Sequence, residues 1–108
     1  MLKYNIYLND IEEMIKRIEK QLKKGKINFE KDVDSYDLLV LRLQVIGESV
    51  SKLPKEITSK FSEVNWDIFV AFRNISSHNY SAINKGIFIR ILTKEIPELK
   101  KAIIKIKK

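Results

Sequence analysis

Apolar residues in the first segment of this chain return at three- and four-residue spacing: Tyr4, Tyr7, Leu8, Ile11, Ile15, Ile18 and Leu22. That period lines one face of an α-helix, whereas a strand would split the same residues between two faces. Glu12, Glu13, Lys16, Arg17, Glu19 and Lys20 fill the opposite side, and Gly25 follows a lysine-rich last turn as a stop signal. No part of the sequence shows sustained two-residue alternation between turn signals. The spacing therefore restricts the fold to packed helices.

A second helix is predicted from a cap at Asp34 or Ser35, with Asp37 in its first turn, to a stop at Pro54. Leu39, Leu43, Ile46, Val50 and Leu53 form one apolar line, and Tyr36, Val40 and Gly47 form another beside it. A helix with two such lines packs against two neighbours, as the middle of a bundle requires. Gly47 costs about 1 kcal/mol relative to Ala inside a helix; it is either a point of close helix contact or simply tolerated. Ser62 is the expected cap of a third helix through Trp66, Phe69, Val70 and Arg73, flanked by Phe72 and Ile75. A fourth begins between Ile83 and Gly86 and carries Phe88, Ile91, Leu92, Ile96, Leu99 and Ile103. Pro97 should impose a kink or short break there, with a final helix from Pro97 onward. The expected architecture is all-α: one domain over residues 1–108, an antiparallel bundle of four to five helices.

At 108 residues the chain can bury one modest core. It has no cysteine, which excludes disulfides, thiolate metal sites and thiol catalysis. A single histidine argues against a conventional zinc site, which would need carboxylates for its other ligands. No apolar run approaches the roughly 18 residues of a membrane span. Met1-Leu2-Lys3-Tyr4-Asn5 lacks the design of a signal peptide, so a soluble, cytoplasmic protein with no membrane partner is expected. Lys and Arg outnumber Asp and Glu by 21 to 14, a net charge of +7. That excess favours phosphate-rich partners through counterion release. The same lysines, as in Lys23-Lys24-Gly25-Lys26 and Lys100-Lys101, also suit solvated helix faces or a heat-adapted composition. Charge alone does not decide between them.

The segment Arg73-Asn74-Ile75-Ser76-Ser77-His78-Asn79-Tyr80 breaks the apolar pattern. Arg73 shares a face with Trp66, Phe69 and Val70, and a buried guanidinium needs a partner. Glu48, which interrupts the apolar pattern of the second helix, is the obvious acid; a stem that packs while its head reaches solvent is the other reading. Ser76, Ser77, Asn79 and Ser81 favour caps and turns, so the helix is expected to end near Ser76. In a straight helix His78 projects about 140° from Arg73, and an end at Ser76 would bring Arg73, His78 and Tyr80 to one rim. An imidazole can remove a proton from a ribose 2′-hydroxyl or protonate a departing 5′-oxygen. A guanidinium can hold the phosphate and stabilise charge that develops there. Tyr80 can bond the phosphate, orient His78 or be a modification site.

Arg-x4-His-x-Tyr, present as Arg73, His78 and Tyr80, resembles the signature of HEPN domains and of the HepT toxin family in particular. Leu41-Arg42-Leu43-Gln44-Val45-Ile46-Gly47-Glu48 resembles that family's Ile-Gly-Glu segment. Leu53-Pro54, Asn65-Trp66 and Ile96-Pro97-Glu98-Leu99 follow in order, so the resemblance spans about residues 4 to 104. Ser76-Ser77 departs from it, since relatives often carry apolar residues before the histidine. The resemblance implies a homodimeric helical bundle whose two motifs face each other across a cleft. It implies a toxin that cleaves RNA without metal or other cofactor, paired with a minimal nucleotidyltransferase antitoxin, MntA, which attaches AMP to the motif tyrosine. Carried over, Arg73 and His78 are catalytic, Tyr80 is the AMP acceptor, and Asn74 and Glu48 support them. Two other readings stay open. One is a non-catalytic helical partner of a nucleotidyltransferase; the other is a structural bundle with Arg73 and Glu48 as a buried ion pair.

Overall fold

A computed structural model describes residues 4–25 and 31–108. The expectations for Met1–Lys3 and for Lys26 lie outside these residues. In chain order the elements are α1 (Asn5–Leu22), α2 (Val33–Ser51), α3 (Lys55–Thr58), α4 (Trp66–His78), a 3₁₀ turn (Tyr80–Ala82), α5 (Lys85–Arg90), a π-helical turn (Ile91–Glu95) and α6 (Ile96–Lys107). The flanking residues of the π-helical turn are themselves helical, so α5 and α6 form one continuous rod. With α1, α2 and α4 this makes the expected helical bundle, and no strand occurs among the described residues.

The predicted stripes become the core. Leu8, Ile11, Ile15 and Ile18 of α1 meet Leu39, Val40, Leu43, Ile46 and Val50 of α2, and Phe69, Phe72, Phe88, Ile91, Leu92, Ile96, Leu99 and Ile103 complete the cluster. Each such side chain contributes about 1.5–3 kcal/mol when fully buried. α2 packs against both α1 and α4, the middle position that its two apolar lines require. Gly47 is the point of closest approach to α4: a Cβ there would stand 2.5 Å from the Phe69 carbonyl oxygen and 2.6 Å from the Arg73 Cβ. Ile75, expected to flank the third helix's apolar line, is instead 50% exposed.

Several boundaries differ from the sequence expectation. α2 starts at Val33 after Asp32, so Asp34 and Ser35 lie within its first turn and do not cap it. The Ser35 hydroxyl instead accepts the Gln21 amide of α1 at 2.8 Å, which fixes α1 against the start of α2. α4 is capped by Asn65, not Ser62: the Asn65 carboxamide oxygen accepts from the Ile68 N–H at 3.2 Å. The buried Val64 holds the residue before this cap against the core. The short α3 after Pro54 was not anticipated. Pro97 causes no break. It has no N–H for the Thr93 carbonyl, and the π-helical turn just ahead absorbs the misfit within a continuous rod. No helix among the described residues is long and apolar enough to cross a membrane.

Candidate active site

The motif begins where α4 lies closest to α2. Arg73 stands opposite Gly47, and its Nη2 pairs with the Glu48 carboxylate. Nη1 donates to the Asn74 Oδ1 at 2.8 Å, while the buried Nε has no hydrogen-bond partner. Lys52 reaches the other Glu48 oxygen at 3.9 Å, so one carboxylate serves two cations. The Arg73 and Glu48 side chains are 31% and 51% exposed. This corrects the buried-pair reading: the guanidinium is oriented on its α2 side and open to solvent elsewhere.

α4 does not end near Ser76 but continues to His78. Ser76 is buried, and its hydroxyl accepts the Gln44 amide at 3.0 Å while donating to the Arg73 carbonyl at 3.3 Å. Ser77 donates to the same carbonyl at 2.8 Å. Both serines thus bond back along the helix, and Ser76 replaces an apolar contact with a hydrogen bond across the α2–α4 seam. His78 is exposed on the last helical position, and its side chain forms no hydrogen bond or ion pair among the described residues.

Asn79 leaves the helical region (φ −150°, ψ 86°), and Tyr80 opens the 3₁₀ turn. The Tyr80 hydroxyl donates to the Asp37 carboxylate. Its ring meets Tyr36 edge-on at 5.8 Å, and Tyr36 meets the core Phe88 at 5.0 Å. Partial desolvation, the bond to Asp37 and the charge of Asp37, with Tyr36 beside it, raise the phenol above its ordinary pKa. Tyr80 is therefore a neutral hydroxyl at physiological pH, 46% exposed.

One helix face organises all of this. Asp37, Gln44 and Glu48 are separated by seven and four residues, which places them on one side of α2. They hold Tyr80, Ser76 and Arg73 respectively. Asp37 and Glu48 stand about 16 Å apart along the axis, so within one chain Arg73 and Tyr80 do not share a rim. The structure joins Arg73, Asn74 and Glu48, ties Tyr80 to Asp37, and leaves His78 exposed between them in sequence. Sequence reasoning missed Asp37 and Gln44 as partners of the motif. The available signal was the polar line Asp37–Gln44–Glu48 along an otherwise apolar helix.

A fixed guanidinium, an accessible imidazole and a neutral phenol are suited to binding and cleaving a phosphodiester. Comparison with known proteins agrees with that chemistry. The family model described as "Ribonuclease HepT-like" matches residues 11–106. A Methanocaldococcus jannaschii protein named as a gamma-glutamylcyclotransferase and candidate RNase is 34% identical over 102 residues, covering 94% of this chain and 46% of that protein. The chain thus spans about half of that relative. A candidate RNase of Caldanaerobacter subterraneus subsp. tengcongensis is 38% identical over 76 residues, 70% of this chain and 68% of its own length. A second candidate RNase of M. jannaschii is 30% identical over 86 residues, 71% of this chain and 79% of its own. No solved structure matches the chain at a significant level. With the motif intact and the family model covering nearly all of its length, the chain belongs to the HepT-like ribonuclease family.

Proposed function

We propose that this chain is a metal-independent endoribonuclease toxin that acts as a homodimer, with Arg73 and His78 as its catalytic residues. The observation that carries this reading is the state of Arg73: held by Glu48 and Asn74, yet open to solvent on the helix that ends in the free His78. The guanidinium binds the scissile phosphate. The ribose 2′-oxygen attacks phosphorus as an imidazole takes its proton, the bond to the 5′-oxygen breaks, and a protonated imidazole supplies the proton that the leaving oxygen needs. One histidine per chain cannot fill both roles in a single step; two copies of His78 facing one cleft can. Exposed Leu41 on α2, which lines one concavity with Glu48 and Arg73, suits cover by a second copy.

The test is cleavage of RNA by purified protein. His78→Ala and Arg73→Ala should each abolish it, with thermal unfolding little changed. Wild-type cleavage by both variants overturns the mechanism. Tyr80 is the proposed acceptor of AMP from an MntA-like nucleotidyltransferase, supported by its exposure and by a hydroxyl oriented on Asp37. Mass spectrometry after incubation with that enzyme and ATP should show AMP on Tyr80 and none on Tyr80→Phe. An unchanged wild-type mass refutes the modification.

A further inference from the structure

A second cationic site lies on the α1–α2 groove. Arg17 and Lys20 from the C-terminal half of α1, with Lys24 in the turn that follows it, meet Arg42 of α2 around one shallow concavity that Gln21 and Leu38 also line. Arg42 is built into place: Nη1 donates to the Arg17 carbonyl at 3.0 Å and to the Gln21 Oε1 at 2.7 Å. Gln21 is itself anchored, its amide donating to the Ser35 carbonyl and hydroxyl at 2.8 Å. Among the described residues only Glu13 pairs with these charges, through an exposed contact with Arg17 at 3.0 Å, and such pairs are weak. Lys20, Lys24 and Arg42 enter no ion pair among the described residues.

The opposite side of α1 shows what a purely structural seam looks like. There Lys100 pairs with Glu19 at 2.9 Å and Lys107 with Glu12 at 3.1 Å, cation matched to anion across α1 and α6. On the α2 side Lys20, Lys24 and Arg42 are gathered with no acid paired to them among the described residues. Desolvation and the nearby charge of Arg17 both lower the Arg42 pKa, as expected where like charges converge without an acid. Lys20 in the last turn of α1 and Lys24 just beyond it also face the negative end of that helix. That accounts for Lys20 and Lys24 but not for an arginine delivered from α2.

We infer that Arg17, Lys20, Lys24 and Arg42 form a subsite for the phosphodiester backbone of RNA, separate from the phosphate held by Arg73. The inference rests on the reading of this chain as a ribonuclease. Arg42 precedes Glu48 by six residues, about 9 Å along α2 and about 120° around it, so the subsite and Arg73 lie on different sides of that helix. Arg17 and Arg42 offer planar donors for phosphate oxygens, and the two lysines add mobile point charges.

Binding of a fluorescent single-stranded RNA, measured across a KCl series in the non-cleaving His78→Ala background, tests this. Lys20→Gln/Lys24→Gln/Arg42→Gln should flatten the slope of log affinity against log salt by about 2, since each phosphate contact on a single strand contributes about 0.7. Lys55→Gln/Lys60→Gln/Lys105→Gln, equal in charge but elsewhere on the surface, should leave it unchanged. Should the first variant not fold, the exposed pair Lys20→Gln/Lys24→Gln should still flatten it by about 1.4. An unaltered slope, an equal loss in the control, or salt-independent binding by the parent overturns the subsite. Cleavage assays of Arg73→Ala and His78→Ala separate the two ideas. Normal cleavage with a flattened slope removes the active-site reading alone; lost cleavage with an unaltered slope removes the subsite alone.

Discussion

Replacing Gly47 with alanine should harm catalysis far more than stability. On propensity alone the change favours the helix by about 1 kcal/mol. The new methyl would meet the Phe69 carbonyl oxygen at 2.5 Å and the Arg73 Cβ at 2.6 Å, where ordinary packing begins at 3.4 Å. Backbone cannot swing aside as a flexible side chain can, so α2 and α4 must separate by up to about 0.9 Å. Overpacking of this kind costs about 1–3 kcal/mol, and the helix gain offsets part of it, leaving a net loss of about 0–2 kcal/mol. The displaced residue is Arg73 itself, carried away from Glu48. A misplacement near 1 Å at a catalytic group costs about 10²-fold in rate. Urea unfolding and single-turnover RNA cleavage on one preparation read both effects. Stabilisation by about 1 kcal/mol with wild-type cleavage would refute the close approach and the positional argument built on it.

Three further outcomes follow from the same geometry. Asn65→Ala removes the α4 cap and should lower stability in urea unfolding by about 1 kcal/mol, whereas Ser62→Ala should change little. Glu48→Gln should cost less than about 1 kcal/mol, because both partners are substantially exposed; a loss of about 3–5 kcal/mol would instead reveal a buried pair. The Tyr80 phenol has a higher pKa folded than unfolded. Its contribution to stability is therefore complete below the unfolded phenol's pKa of about 10 and is lost as pH rises toward the folded value. Alkaline unfolding should accordingly weaken its pH dependence in Tyr80→Phe and Asp37→Asn, and equal dependence in all three proteins would contradict the Asp37 bond.

Periodicity made the four rods legible because burial enforces it: Leu39, Leu43 and Ile46, or Ile91, Leu99 and Ile103, have no other way to leave water together. Capping was less legible. Asp34, Ser35 and Ser62 all qualify chemically as caps, and only tertiary contact decided among the candidates, with Gln21 claiming Ser35 and Val64 anchoring the residue before Asn65. The end of α4 was misread for a related reason. Ser76 and Ser77 are weak helix residues in isolation, yet Gln44 on the neighbouring helix satisfies Ser76 and keeps the turn closed. The motif residues themselves were visible from their chemical incongruity with the apolar face. Of their partners Glu48 was visible, because it interrupts the apolar pattern of α2; Asp37 and Gln44 were not, being remote in sequence and each unremarkable alone.

That placement bears on the proposed attachment of AMP to Tyr80. Gly47 brings α4 close, Glu48 aims Arg73, Gln44 secures Ser76, and Asp37 holds Tyr80. All four act from α2, so the arginine and the tyrosine are registered against one rigid ruler rather than against each other. Joining a phosphate diester to the Tyr80 oxygen would remove its only proton donor and set a negative charge against Asp37. The bond must then break, and the 3₁₀ turn must move away from α2. Arg73, anchored about 16 Å along the same helix by Glu48, need not shift at all. Modification on this reading works by releasing the 79–84 segment, which follows His78 directly, and not by displacing Arg73. The Arg73–Glu48 pair should therefore survive in the modified protein while the Tyr80–Asp37 bond does not.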